Sequence, residues 1–274
     1  MRRPVPSLTS RLARLAPALA LVAIAAWGTC RAVGAGAGVP GDRAWAAVSQ
    51  RLRAELRPGE LIVVAPAWNE PTAYLHVGDL VAVDAAGRLD AARYPAIWEL
   101  SIRGARAPET RGLRADRSFA IGGVTARRYP QAARTVVTDF APQIATAAVG
   151  GARAGGPTYV LAEIGFAPHR CAQVTPAPDG EVTLTFADVA LGAELAVGAG
   201  LADVFTRRDV RAPGELAVAI DGFEVARWRF GVDDGWVRRT IVTRPGRGTV
   251  TFTARAVGLK ATGRLICFAA EARS

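Results

Sequence analysis

The chain has 274 residues, half of them hydrophobic, with 34 basic and 24 acidic side chains and a formal charge of +10. That apolar content excludes a disordered chain and is enough for two compact domains or one large one. The basic excess does not indicate nucleic-acid binding: Lys260 is the only lysine, the arginines are scattered among acids, and no basic stretch carries interleaved aromatics or a nucleic-acid motif.

At the N-terminus Arg2, Arg3, Arg11 and Arg14, with no acid among them, precede LAPALALVAIAAWGTC, sixteen residues (15–30) without a charge. A basic flank followed by an apolar run is an export or insertion signal. Small residues in Val33-Gly34-Ala35 and Ala35-Gly36-Ala37 suit cleavage after Ala35 or Ala37. The alternative is an uncleaved anchor through residues 15–30, although sixteen residues fall just short of the ~17–25 that span a bilayer. Trp27-Gly28-Thr29 before Cys30 lacks the Leu and the small residue that lipoprotein processing needs. Both readings place the rest outside the cytoplasm, in the periplasm or on the outer face of the inner membrane. Removing residues 1–37 takes away five arginines and no acid, which leaves 29 basic and 24 acidic residues, a net +5. It also removes Cys30. Cys171 and Cys267 then form an even pair, expected to be a disulfide in an oxidising compartment, with two buried free thiols as the alternative.

After the linker GVPGDR, Asp42 is expected to cap a helix whose Trp45, Val48, Leu52 and Leu56 share one face. RPGE ends it, and LIVVAP reads as a strand buried on both faces. APAWNEPTAYLHVGDL (65–80) is expected to be a loop, with Asp79 capping a helix that begins at Leu80. DLVAVDAAGRLDAARYP is predicted helical in its second half, through Leu89, Ala92 and Arg93, until Pro95 stops it. AIWELSIRG, with Ile97, Trp98, Leu100 and Ile102, is a second buried strand. From there to about Arg128 a loop with one short strand at FAIGGV is expected. RTVVTDF is a further strand, PQIATAAVG a strand or a helix, and GGARAGGP (150–157) a boundary.

Beyond it TYVLAEIGF, EVTLTFADVAL, GELAVAIDGFEVARWRF, WVRRTIVT, GTVTFTARAV and RLICFAAEA are strand-length runs separated by PAPDG, DDG and PGRG turns. Short strands with turn punctuation and near-strict alternation predict an antiparallel sandwich. The expected fold class is therefore an α+β two-part chain. It comprises a signal peptide or single anchor (1–37), a small α/β domain (38–150) and a jelly-roll-like antiparallel β-sandwich (157–274).

The step from RAWAAVSQRLRAELRPGE into LIVVAPAW, with the later YPAIWEL strand, resembles the extracytoplasmic soluble region that follows the membrane helices in some bacterial glycosyltransferases. VDDGW and TRPGRGTVTFTARA resemble carbohydrate-binding-type β-sandwich modules, and the two-part layout resembles an uncharacterised family of exported bacterial proteins. These resemblances imply an exported protein of a cell-surface glycan system, with a glycan or a membrane-embedded glycan-processing protein as partner. The transferases keep their catalytic acids in loops between many membrane helices, so that chemistry does not carry over.

The only histidines, His76 and His169, fall in different halves, which excludes a His-rich metal centre. No G-x-S-x-G elbow, phosphate-cradling loop or dinucleotide glycine motif occurs after a strand, and no cofactor or metal is expected. Glu70 and Asp79 flank His76, and Glu99 sits in the second strand, a pattern that paired-carboxylate chemistry would use. The competing reading makes Asp79 a cap and His76 a loop residue, and Asp139 has a similar one as a strand-end residue. Trp68 and Tyr74 in the first half, and Trp228 and Trp236 in the second, are candidates to stack on sugar rings, with Asp233 and Asp234 as hydroxyl acceptors or turn formers. The preferred expectation is a non-catalytic binding or accessory protein of envelope glycan metabolism. The alternatives are a carbohydrate-active hydrolase or transferase using Glu70, His76 and Asp79, and a structural envelope protein.

Overall fold

A computed structural model of the chain describes residues 8–36, 39–202, 212–258 and 263–274. Helix α1 (Leu8–Gly36) contains the apolar run, with Pro17 inside it, and its side chains from 16 to 32 are exposed. Among the described residues no helix is long and apolar enough to cross a membrane. The expected anchor through residues 15–30, and with it a membrane partner, is thus not supported, since the uncharged run between Arg14 and Arg31 is too short. Arg2, Arg3 and the expected cleavage point after Ala37 lie outside the described residues.

In the first half α2 (Asp42–Glu55) buries Trp45, Val48 and Leu52, as its periodicity predicts. Gly41 takes the capping position in place of Asp42, which is the first helical residue. β1 (Leu61–Ala65) and β2 (Ala96–Ile102) are parallel and buried along their whole length. β4 (Val124–Pro130) runs antiparallel to β2, and β3 (Arg117–Ile121) closes the order β1-β2-β4-β3, so two strands stand where one was expected. One face of this sheet packs Ile62, Val64, Trp98 and Leu100 against Trp45 and Leu52 of α2. The other places Leu61, Val63, Ala65 and Ile97 against Ala107.

Two local readings are corrected. The expected loop after β1 contains α3 (Glu70–Val77), with Pro71 in its first turn, where proline's missing N–H costs nothing, and Ala73 and Val77 buried. No helix starts at Leu80. Asp79 instead receives two hydrogen bonds from Arg53 of α2, at 2.5 and 2.7 Å. The helix predicted through Leu89, Ala92 and Arg93 is also absent; α4 (Val83–Ala86) ends before it. The carbonyls a helix would bond internally are taken from outside: Gly87 O by the Arg170 N–H at 2.7 Å and Ala92 O by the Arg134 N–H at 2.8 Å.

The second half is a sandwich. One sheet contains β13 (Val237–Val242), β10 (Glu194–Leu201), β15 (Ile266–Arg273), β8 (Ala167–Pro176) and β7 (Arg153–Ile164) in that order, with β5 (Val136–Asp139) also paired to β15. The other is β12 (Phe223–Phe230), β11 (Gly214–Ile220), β14 (Gly246–Ala256), β9 (Glu181–Leu191) and β6 (Ala148–Gly151). Between them lies one core, in which Phe140 meets the edges of Phe186 and Phe252 at 5.1 and 5.3 Å. The Gly-rich stretch 150–157 is not a linker. It lies in β6 and β7, and β5 and β6, which precede or begin it, already pair within the sandwich. Its first two glycines serve close approach: a Cβ would come within 2.5 Å of Thr183 Oγ1 at Gly150 and would run into the Glu181 carbonyl at Gly151.

Cys171 of β8 and Cys267 of β15 are bonded, with Cα atoms 5.6 Å apart, so the disulfide ties neighbouring strands of one sheet. It closes a loop of 96 residues, for which chain entropy gives about 4–5 kcal/mol. A Cys171→Ala/Cys267→Ala double variant should lose roughly that stability. The check is the urea midpoint, and an unchanged midpoint would contradict a stabilising role.

Candidate functional site

The two halves meet along residues 84–94, a strap that leaves α4 and crosses the sandwich. Gly87 passes so close to β7 and β8 that a Cβ would sit 2.7 Å from Leu161 Cδ1 and 2.8 Å from Arg170 Cγ, so only glycine fits. The next carbonyls are read in turn: Arg88 O contacts His169 Nδ1 at 3.3 Å, and Leu89 O accepts from Trp236 Nε1 at 3.3 Å. Asp90 then takes both arms of the Arg273 guanidinium, each at 2.9 Å. Burial works to raise the Asp90 carboxyl, but the hydrogen bonds and charge of Arg273 outweigh it and hold the group below the usual carboxylate range. Arg273 also bonds Glu271 at 2.8 Å, and Glu271 faces Arg93 of the strap at 3.3 Å.

The strap divides the cleft between the halves into two cavities that share Arg88 and Leu89. The smaller, of about 210 Å³, is walled by Arg93, Asp139, Tyr159, Arg170 and Glu271. The larger, of about 310 Å³, runs from the carboxyl end of β1 at Val64 and Ala67, past Glu70 and Glu109, to His169, Trp236 and Arg238 on the sandwich. That end of parallel strands is where α/β sheets bind ligands. Asp139 lies opposite Glu271 across β5 and β15; burial, reinforced by the Glu271 charge, pushes its carboxyl up to about 6. Burial pushes the His169 imidazole down to about 4.

The residues singled out from sequence do not converge. Glu70 lines the larger cavity and receives the Tyr74 hydroxyl at 2.5 Å, while burial and the Glu70 contact push the Tyr74 phenol upward. His76 faces the other way, its Nε2 3.5 Å from Asp42 at the start of α2, and Asp79 belongs to Arg53. Neither His76 nor Asp79 lines either cavity. Trp68 is exposed, with the Arg103 guanidinium 5.9 Å from its ring centre. Trp236 is half-buried and lines the larger cavity: one face stacks on His169 at 4.3 Å, and the ring lies against Gly198, where a Cβ would approach Cε2 to 2.4 Å. Trp228 is buried in the sandwich core. Asp234 closes its turn by accepting the Gly231 N–H at 2.6 Å, and Asp233 is exposed beside it. Glu99 is fully buried and engaged by Arg106 and the Ala107 N–H, which fixes the loop after β2.

Arg88, Asp90, His169 and Arg238 were not found from sequence. They are single residues in unremarkable local patterns, and only pairing across 81 to 183 positions brings the strap to its partners. Among the described residues no group of His, Cys, Asp and Glu could hold a metal ion.

No protein-family model matches the chain, and no curated protein matches it. Solved structures with similarity include CBM51-2 and INT domains from Clostridium perfringens ZmpB in complex with GlcNAc, at 14% identity and a TM-score of 0.33, covering 57% of this chain and 36% of that one. Tandem CBM51 modules of Sp3GH98 from Streptococcus pneumoniae SP3-BS71 match at 8% identity and 0.34, over 56% of each chain. A family 35 carbohydrate binding module from Clostridium thermocellum matches at 13% identity and 0.30, over 51% of this chain and 98% of that one. The chain thus spans about a third of the ZmpB structure it matches. None of these matches extends the glycosyltransferase resemblance of the first half.

Gly198→Ala should displace the Trp236 indole and break its bond to Leu89, at a cost of about 1–3 kcal/mol, seen in urea unfolding together with an altered tryptophan emission. The two shifted groups act in opposite senses on stability. His169, lowered from 6.5 to about 4, contributes stability above its ordinary value that is lost as pH falls through about 4. Asp139, raised from 3.8 to about 6, contributes stability at low pH that is lost as pH rises through about 6. Asp139→Asn should therefore steepen the rise in melting temperature between pH 4 and 6.5. A melting profile parallel to the parent's would refute the Asp139 assignment.

Proposed function

We propose that the chain is an exported, non-catalytic binding protein of cell-envelope glycan metabolism, with its ligand seated in the cleft between the two halves. The observation that carries this reading is the larger cavity. It is polar and apolar by turns, set at the carboxyl end of β1, and it offers carboxylates from the first half and guanidinium groups from both halves. Such groups bond pairs of sugar hydroxyls, and Val64 and Ala67 supply apolar wall for the ring's CH groups. Export is supported by the basic and apolar N-terminus and by the disulfide, which belongs in an oxidising compartment. The catalytic alternative loses its residues, because Glu70 alone of Glu70, His76 and Asp79 reaches the cavity. The structural-protein alternative leaves the cleft without a purpose.

A glycan array probed with the purified protein, in parallel with Ala86→Trp, tests the reading. Ala86 lines the cavity, and a tryptophan there should occlude it. Retention on a subset of glycans by the parent, weakened about tenfold or more in the variant, is expected. No retention by the parent, or equal retention by both, would overturn it.

A further inference from the structure

This inference rests on the glycan-binding reading and concerns the charge its ligand carries. Six ionisable groups line the larger cavity: Glu70, Arg88, Asp90, Glu109, His169 and Arg238. Four are spent within the protein. Arg88 pairs with Glu109 at 2.6 Å, Asp90 with Arg273 at 2.9 Å, and His169 is held neutral by burial while it stacks on Trp236. The remaining two are not. Glu70 receives only the neutral Tyr74 hydroxyl, so its negative charge is uncompensated. Arg238, in β13, is exposed at the rim of this cavity and makes no hydrogen bond or ion pair among the described residues. Its charge nevertheless reaches into the cleft, where it acts to lower the values of both Asp90 and His169.

We infer that the cleft is built for a dipolar saccharide, one that carries a carboxylate for Arg238 and a protonated amine for Glu70. A neutral sugar can hydrogen-bond both groups through its hydroxyls but brings neither the opposite charge nor the charge-assisted bonds that each of them can make. A sugar with one charge would satisfy one of them. Only a ligand with both signs completes the charge balance, and because the two groups come from opposite halves it also bridges the cleft.

Four sugars of the same ring test this by titration calorimetry at a pH where the amine is protonated: muramic acid with both charges, N-acetylmuramic acid with the carboxylate only, glucosamine with the amine only, and N-acetylglucosamine with neither. Muramic acid is expected to bind at least about tenfold tighter than either singly charged sugar. Arg238→Gln should erase the preference for the carboxylate and leave that for the amine. Glu70→Gln should do the reverse, with both variants melting like the parent. Equal affinity for all four sugars would overturn the dipolar inference while glycan binding itself stands. Failure of all four to bind a protein that retains other glycans on the array would also overturn it, and failure on both would remove the glycan reading as well.

Discussion

The architecture turns on one buried ion pair. Asp90, on a strap of the first half, is gripped by both arms of Arg273, which is almost wholly removed from solvent in the sandwich. Two desolvated charges in a bidentate fork fix distance and angle together, and leaving either without the other would strand a charge in a poor solvent. The positions of Gly87, Arg88 and Leu89 follow from that clamp, and so do the walls of both cavities. The cleft is therefore a product of the interface and belongs to neither half alone.

The same use of arginine recurs through the molecule. Glu215, on the outer face of the sandwich, is met by Arg227, Arg229 and Arg255; burial acts to raise it, but those three bonds prevail and hold it at about 2. Glu60 accepts from Arg128 and from the Trp98 indole. A planar guanidinium suits such shared carboxylates in a way a lysine ammonium does not. Many of the arginines are thus engaged by the fold's own acids. Against that background Arg238 stands out as a cleft-lining guanidinium with no acid to hold among the described residues.

What could be read from sequence was what local periodicity encodes. The apolar runs of β1 and β2, the one-sided stripe of Trp45, Val48 and Leu52, and the alternation in β9 and β14 each announce an element without reference to the rest of the chain. The partnership of Cys171 and Cys267 was legible because no other thiol would remain after export. The errors share one cause. The strap looks helical until its carbonyls are claimed by Arg170 and Arg134, and the glycines at 150–157 look like a linker until Thr183 is seen packed on them. That one face of Trp236 is taken by His169 was likewise invisible, because the two residues lie far apart in the sequence. Glu70 was found as one of three acids and bases that share a stretch of chain but not a direction.

The separation of the clamp along the chain has a consequence in time. Asp90 and Arg273 are 183 residues apart. At a synthesis rate of roughly 5–20 residues per second, the strap waits about 10–40 s after it is made before its partner exists. During that interval residues 84–94 have only the contacts of their own half, such as the Arg134 N–H on Ala92 O and the Arg88–Glu109 pair, while Gly87 O, Leu89 O and the Asp90 carboxylate remain with water. The cleft is therefore completed last, when the C-terminal strand that carries Arg273 takes its place in the sandwich.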